Sequence, residues 1–254
     1  MYSINTLVLD WAGTTVDYGC FAPVGAFQQA FREAGFDPTI DEIRAPMGMP
    51  KRDHVAAVLR DRPHDPGDID TVYALFETAL FGVLADHAEP LPGLLDTVVE
   101  LRGMGIAIGS TTGYTRQMMD VVAPLAATKG YAPDCLVCPD ETGGVGRPYP
   151  YMVWHNLERL GVTSVEQVLK VGDTLADIAE GRNAGCRSVG VLEGSSLVGL
   201  THDEFTALTP DQADYVLGTA ERAYRAAGAD QVIRNIAELP GLIRSLDQNG
   251  APTS

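Results

Sequence analysis

The sequence predicts an α/β fold in which a doubly wound parallel sheet is interrupted, directly after its first strand, by an all-helical insert. Three observations lead to this. Short apolar runs alternate with segments of helical spacing through the second half of the 254-residue chain. From Pro23 to about His87 the spacing is helical throughout and no strand pattern appears. Gly-rich or acidic turns follow the apolar runs, where sheets of this kind carry their ligand sites.

Taken in order, Asn5–Asp10 is an apolar run ending in an acid, with Gly13 just beyond, and reads as a buried first strand. Val24–Ala34, Lys51–Leu59 and Ile69–Leu84 have helical spacing; Pro23 suits a first helical turn and Gly35 a helix end. Pro90 and Pro92 punctuate the chain. Helices follow at Leu94–Met104, Thr115–Thr128, Pro150–Leu160 and Leu175–Ala184, alternating with strands at Ile106–Gly109, Asp134–Val137, Val168–Gly172 and Ser188–Leu192. Beyond Leu200, Tyr215–Leu217 and Gln231–Ile233 read as edge strands and Asn235–Ser245 as a last helix. Such alternation implies a Rossmann-like sheet covered on both faces. The expected domains are an α/β core of residues 1–19 and 90–254 and a helical cap of residues 20–89, placed over the strand ends as a lid.

Composition narrows the function. A 45% hydrophobic content supports one core plus a small second domain. A net charge of −16 argues against nucleic acid as the main partner, since phosphate backbones are bound by Lys/Arg clusters. A small anionic substrate stays compatible, because a few convergent cations and a metal ion override the global field locally. No run reaches membrane-spanning length, and Met1–Asp10 lacks a basic stretch and a cleavage site. A cytoplasmic protein with no membrane partner is therefore expected. Cys135 and Cys138 form a Cys-x-x-Cys within an apolar segment and read as small buried hydrophobes.

Four features stand at predicted strand ends: Asp10-Trp11-Ala12-Gly13-Thr14, Ser110-Thr111-Thr112-Gly113-Tyr114, Gly146-Arg147-Pro148-Tyr149-Pro150, and Gly172-Asp173-Thr174 followed by Asp177. Their order and spacing resemble the four motifs of the haloacid dehalogenase superfamily. With Thr15-Val16-Asp17-Tyr18-Gly19, and Met47-Gly48 followed by Lys51 and His54, the chain more closely resembles the phosphonoacetaldehyde hydrolases, or phosphonatases. The similarity runs to about Leu200. It implies a haloacid dehalogenase-like core, a Mg²⁺ cofactor, a homodimer, and the backbone carbonyl of Ala12 as a metal ligand. Between His54 and Asp70 the chain is shorter than the family pattern and lacks its tryptophan, so a related phosphonate aldehyde is an alternative substrate.

The residues support a chemistry on their own terms. A phosphorus centre bearing oxyanions repels a carboxylate unless cations neutralise it. Asp10 is the candidate nucleophile and, through its second oxygen, a metal ligand. Asp173 offers a hard oxygen suited to Mg²⁺, or an N-cap to the helix that follows. Asp177, one turn on, can order metal-bound water. The Arg147 fork can hold two phosphonate oxygens, and the Thr112 hydroxyl and Gly113 N–H another. Superfamily phosphatases carry an acid where this chain has Ala12, so an alkoxide leaving group would depart about 10²–10⁴-fold more slowly. A carbon leaving group beside an imine needs no such acid, and Lys51 can form that imine once its amine is unprotonated. His54, three residues on, is a candidate proton shuttle; Met47, Cys20 and Tyr114 are candidate walls of the substrate site. A phosphate monoester phosphatase, a haloacid dehalogenase and an inactive ligand-binding protein are the rival readings.

Overall fold

The computed structural model describes residues 3–249; residues 1, 2 and 250–254 of the expected core lie outside them. Six parallel strands form one sheet: β1 (Thr6–Leu9), β2 (Ala107–Thr111), β3 (Cys135–Val137), β4 (Val168–Gly172), β5 (Arg187–Val191) and β6 (Gln231–Ile233), in the order β3-β2-β1-β4-β5-β6. From β1 the chain adds β2 and β3 on one side, then β4, β5 and β6 on the other. The direction reverses at β1, and a crevice opens at the carboxyl ends of β1 and its neighbours.

Side-chain alternation divides the sheet's two faces. Leu7 and Leu9 share a buried cluster with Ile108, Leu169 and Val189, covered by α5 (Leu94–Gly103), α6 (Arg116–Thr128) and α11 (Leu239–Asn249). Val8 turns the other way, to Val153 and Leu157 of α7 (Tyr151–Arg159) and Ala184 of α8 (Leu175–Ala184). Cys135 and Cys138 are free and buried, at β3 and just past it. Burial pushes the Cys138 thiol up to about 12, so it packs as an inert small hydrophobe.

The observed elements lie within a few residues of the predicted ones, with one correction. Tyr215–Leu217 is no strand: it lies within α10 (Pro210–Ala227). Thr209 caps this helix through a capping box with Gln212, Pro210 occupies its first turn, and Leu217, Ala220 and Tyr224 are buried at spacings of three and four. A three-residue apolar run within a long amphipathic helix had the look of a strand. Two short helices, α2 (Ile40–Arg44) and α9 (His202–Thr206), are additions; each starts at a Thr/Glu capping box rather than at an apolar pattern.

Between β1 and β2 the chain forms α1 (Phe21–Glu33), α2, α3 (Lys51–Leu59), α4 (Asp68–Phe81) and a single-turn helix, Leu84–His87, before α5. Helix α1 packs on α2 and α4, and α3 on α4. The Phe27 ring stacks on His54 at 3.9 Å and on Phe76 at 3.8 Å between centroids. One buried cluster runs from the sheet face into these helices, so apolar packing does not break between them.

Polar contacts fix how the helices sit over the strand ends. The Asp17 carboxylate accepts the N–H groups of Phe21 and Ala22, both at 3.0 Å, and so caps α1. It also accepts from His87 Nδ1 at 2.8 Å, so a single side chain ties the outgoing and returning crossings together. Arg44, at the end of α2, donates to the carbonyls of Gly19 at 3.0 Å and Ser196 at 2.9 Å. Gly48 has φ +87°, and a Cβ there would come within 2.3 Å of Thr174 Oγ1. Only glycine lets this turn approach the β4–α8 loop so closely.

A Gly48→Ala variant should lose at least about 1–2 kcal/mol of unfolding free energy from the left-handed conformation alone, read by urea denaturation; an unchanged midpoint would contradict the close approach. The hydrogen bond to Asp17 raises the His87 pKa above its ordinary 6.5, against the opposing effect of burial. The resulting stabilisation is complete below pH 6.5 and fades as pH rises through the raised value. His87→Gln should therefore lower the melting temperature clearly at pH 6 and much less at pH 9. A loss independent of pH would mean that the imidazolium contributes nothing.

Candidate active site

A small cavity of about 20 Å³ lies at the carboxyl ends of β1, β2 and β4. It is lined by Asp10, Ala12, Cys20, Met47, Gly48, Lys51, Thr112, Gly113, Tyr114, Arg147 and Thr174, which come from the strand-end loops and from the inserted segment. It has room for about one water molecule. A far more spacious cleft, about 670 Å³, lies elsewhere, among Tyr18, Leu91, Glu193, His202 and Arg234. It contains neither a buried acid cluster nor a nucleophile, so the chemistry belongs to the small cavity.

Carboxylate oxygens of Asp10, Asp173 and Asp177 lie within 4.8 Å of one another, and all three side chains are buried. Asp173 accepts from Thr14 Oγ1 at 3.3 Å and from the Ser196 N–H at 2.8 Å. Helix α8 is capped by Thr174, in a capping box closed by Asp177, so the Asp173 side chain is not an N-cap. Asp177 is well paired: Oδ1 faces Lys170 Nζ at 2.5 Å and Arg147 at 3.1 Å, while Oδ2 meets the Thr174 N–H and Oγ1. Burial, reinforced by the charges of Asp10 and Asp177, pushes the Asp173 carboxyl well above its usual range. Burial acts the same way on Asp177, but Arg147 and Lys170 outweigh it and hold that carboxyl low. A compact set of hard oxygens whose charge is under-compensated is what a small divalent cation relieves. The residues thus fit a magnesium site.

Arg147 is enclosed. Its Nη2 bonds Asp10 Oδ1 at 2.5 Å and Thr111 Oγ1 at 3.0 Å, Nη1 faces Asp177, and Nε bonds Glu180 Oε2 at 3.0 Å. Burial opposes its charge, but the three acids outweigh burial and raise its pKa further, so it stays cationic. Two members of this network, Lys170 and Glu180, were missed in the sequence. The available signal was a lone lysine inside the apolar strand Val168-Leu169-Lys170-Val171-Gly172.

Lys51 begins α3 and is 6% exposed. Its amine lies 5.1 Å from the Tyr114 ring centroid and 5.9 Å from that of Phe27. Burial, aided by Arg147 and opposed by Cys20 and Asp10, lowers its pKa below the ordinary 10.5. Thr112 Oγ1 accepts the Tyr114 N–H at 3.0 Å. Burial and neighbouring acids keep the Cys20 thiol and the Tyr114 hydroxyl protonated. His54 is fully buried beneath Phe27 and is not among the lining residues. Neither ring nitrogen has a hydrogen-bond partner among the described residues. Burial, then the nearby Lys51, hold its pKa well below 6.5, so the ring is neutral.

A family model described as haloacid dehalogenase-like hydrolase matches residues 4–185. Phosphonoacetaldehyde hydrolase of Lysinibacillus sphaericus is 45% identical, covering 96% of both chains. That of Parabacteroides distasonis is 44% identical, over 97% of this chain and 98% of its own. The crystal structure of a phosphonoacetaldehyde hydrolase-like protein from Oleispira antarctica superposes with a TM-score of 0.93 at 33% identity, covering 100% of this chain and 96% of that one. Six parallel strands in this order, a buried acid cluster at their carboxyl ends and these relatives together assign the chain to the phosphonoacetaldehyde hydrolase family of haloacid dehalogenase-like hydrolases.

Proposed function

We propose that this enzyme hydrolyses the carbon–phosphorus bond of phosphonoacetaldehyde to acetaldehyde and phosphate. The observation that carries the proposal is the pairing of a buried amine, Lys51, with Asp10 and Arg147 around a cavity where Ala12 stands in place of an acid. Residues 20–89 serve as the lid that delivers this amine. At about 20 Å³ the cavity is far too small for the substrate, so the lid opens to admit it.

The neutral Lys51 amine adds to the aldehyde carbon, and water departs with uptake of one proton from solvent, leaving a protonated imine. Asp10 attacks phosphorus, and the electron pair of the breaking C–P bond flows into the imine to give an enamine and an aspartyl phosphate. No proton is needed at position 12, because carbon leaves as a neutral enamine. Protonation at carbon and hydrolysis of the imine release acetaldehyde, and water cleaves the aspartyl phosphate. Arg147, Thr112 and the Gly113 N–H hold the phosphonate oxygens, while Met47, Cys20 and Tyr114 wall the aldehyde. His54 is not placed for direct contact and acts, on this scheme, through Lys51. Asp10, Asp173 and the Ala12 carbonyl would hold a magnesium ion, with Asp177 beside them to order its water, and the ion would supply positive charge against the oxyanions.

Borohydride reduction in the presence of phosphonoacetaldehyde should trap a two-carbon adduct on Lys51, identified by mass spectrometry, and Lys51→Arg should abolish turnover. The ascending limb of the pH–rate profile should lie below 10.5, in keeping with the lowered amine. Absence of the adduct, with turnover of simple phosphate esters retained, would favour the phosphatase reading. Because burial and the neighbouring acids raise the Asp173 carboxyl well above its ordinary 3.8 without a cation, magnesium binding should tighten as pH rises, with proton release where that group titrates. Calorimetry in two buffers of different ionisation enthalpy measures this; equal heats would exclude proton release, and activity surviving chelation would favour metal-free dehalogenase chemistry.

A further inference from the structure

Behind Arg147, on the side away from the cavity, Lys170 and Glu180 join Asp177 in a charge assembly of which the proposed chemistry uses only Asp177. Lys170 sits mid-strand in β4 with no exposed surface, and the neighbouring Leu169 and Val171 face the opposite cluster. Its ammonium meets Asp177 at 2.5 Å and stands 3.5 Å from Glu180. Asp177 and Glu180 are three residues apart on α8 and so present their carboxylates on one helix face. Glu180 Oε2 also accepts from Arg147 Nε and Thr111 Oγ1, both at 3.0 Å, while Oε1 has no partner among the described residues. The helix comes this close because residue 181 is glycine: a Cβ there would stand 2.7 Å from Lys170 Cβ.

Three acids surround Arg147, but only Asp10 lines the cavity. The two rear carboxylates alone would over-neutralise the guanidinium and draw it away from the cavity. Lys170 returns one positive charge to that side. Burying an ammonium group costs several kcal/mol before its partners compensate, so such a group is poorly explained by stability alone. Resting on the reading of the cavity as a phosphonate site, we infer that Lys170 is a positioning residue. By offsetting Asp177 and Glu180, it keeps the Nη2 edge of Arg147 forward and its charge available to an oxyanion.

The test uses inorganic phosphate with saturating Mg²⁺, titrated by ³¹P NMR, on the full chain. Lys170→Met keeps the length of the side chain and removes its charge; it should weaken phosphate binding about tenfold, the scale of one unscreened charge at this range. Glu180→Gln should bind at least as tightly as the parent. The double variant, Lys170→Met with Glu180→Gln, restores the balance and should return to within about threefold of the parent, with a coupling opposite in sign to additive damage. A merely structural role would lower melting temperatures without this pattern. Binding by Lys170→Met equal to the parent, or a double variant worse than either single one, would overturn the inference. Should Lys170→Met not fold, a tenfold weakening in Glu180→Gln would overturn it, and parent-like binding by Glu180→Gln and the double variant would support it. Adduct trapping on Lys51 should persist in Lys170→Met, which separates this outcome from failure of the imine scheme. A parent that binds no phosphate would refute the phosphonate reading itself.

Discussion

The ion pair between Arg147 and Asp10 is the contact on which the site depends. It joins the end of β1 to the loop after β3, and the same guanidinium reaches Thr111 at the end of β2 and two acids of α8. Four pieces of chain far apart in sequence are thereby fixed around one planar cation. Lysine could supply the charge but not the fork, because a single ammonium cannot address acceptors on three sides of a plane. With Arg147 in place, the crevice predicted by sheet topology becomes a defined set of oxygens and nitrogens rather than a gap between loops.

The inserted helices contribute the opposite property. They bring one amine into a region already crowded with acids, where Phe27 of the insert and Tyr114 of the loop after β2 stand beside it. Burial favours the neutral amine, and the flanking acids oppose it. The balance depends on how tightly the helices seat, and that seating rests on a few polar contacts: Arg44 on two backbone carbonyls, Gly48 against Thr174, and Asp17 at the double crossing. None of these is apolar, although the packed core beside them is continuous.

Much of the architecture could be read from the sequence because its signals are local. Val168–Gly172 and Leu175–Ala184 are bounded by a glycine turn and a capping threonine, and their observed limits agree with the predicted ones. The strand ends that carry Asp10, Thr112 and Asp173 could be located for the same reason. What could not be read is burial at a distance. Lys170 looks like any solvated lysine until α8 is laid over β4, and Glu180 like any helix-surface acid. His54 shares a face with Lys51, as spacing predicts, but the ring of Phe27 covers that face, which spacing cannot reveal. Tyr215–Leu217 failed for a related reason: three apolar residues carry no period, and only the eighteen-residue helix around them does.

The small size of the cavity bears on how a substrate could be admitted. A space that holds about one water cannot contain a substrate while a product waits to leave. On the proposed reaction, the site must therefore enlarge before a substrate enters it. With residues 20–89 acting as the lid proposed above, the rate at which they part would set a ceiling on throughput, however fast the bonds themselves are made and broken.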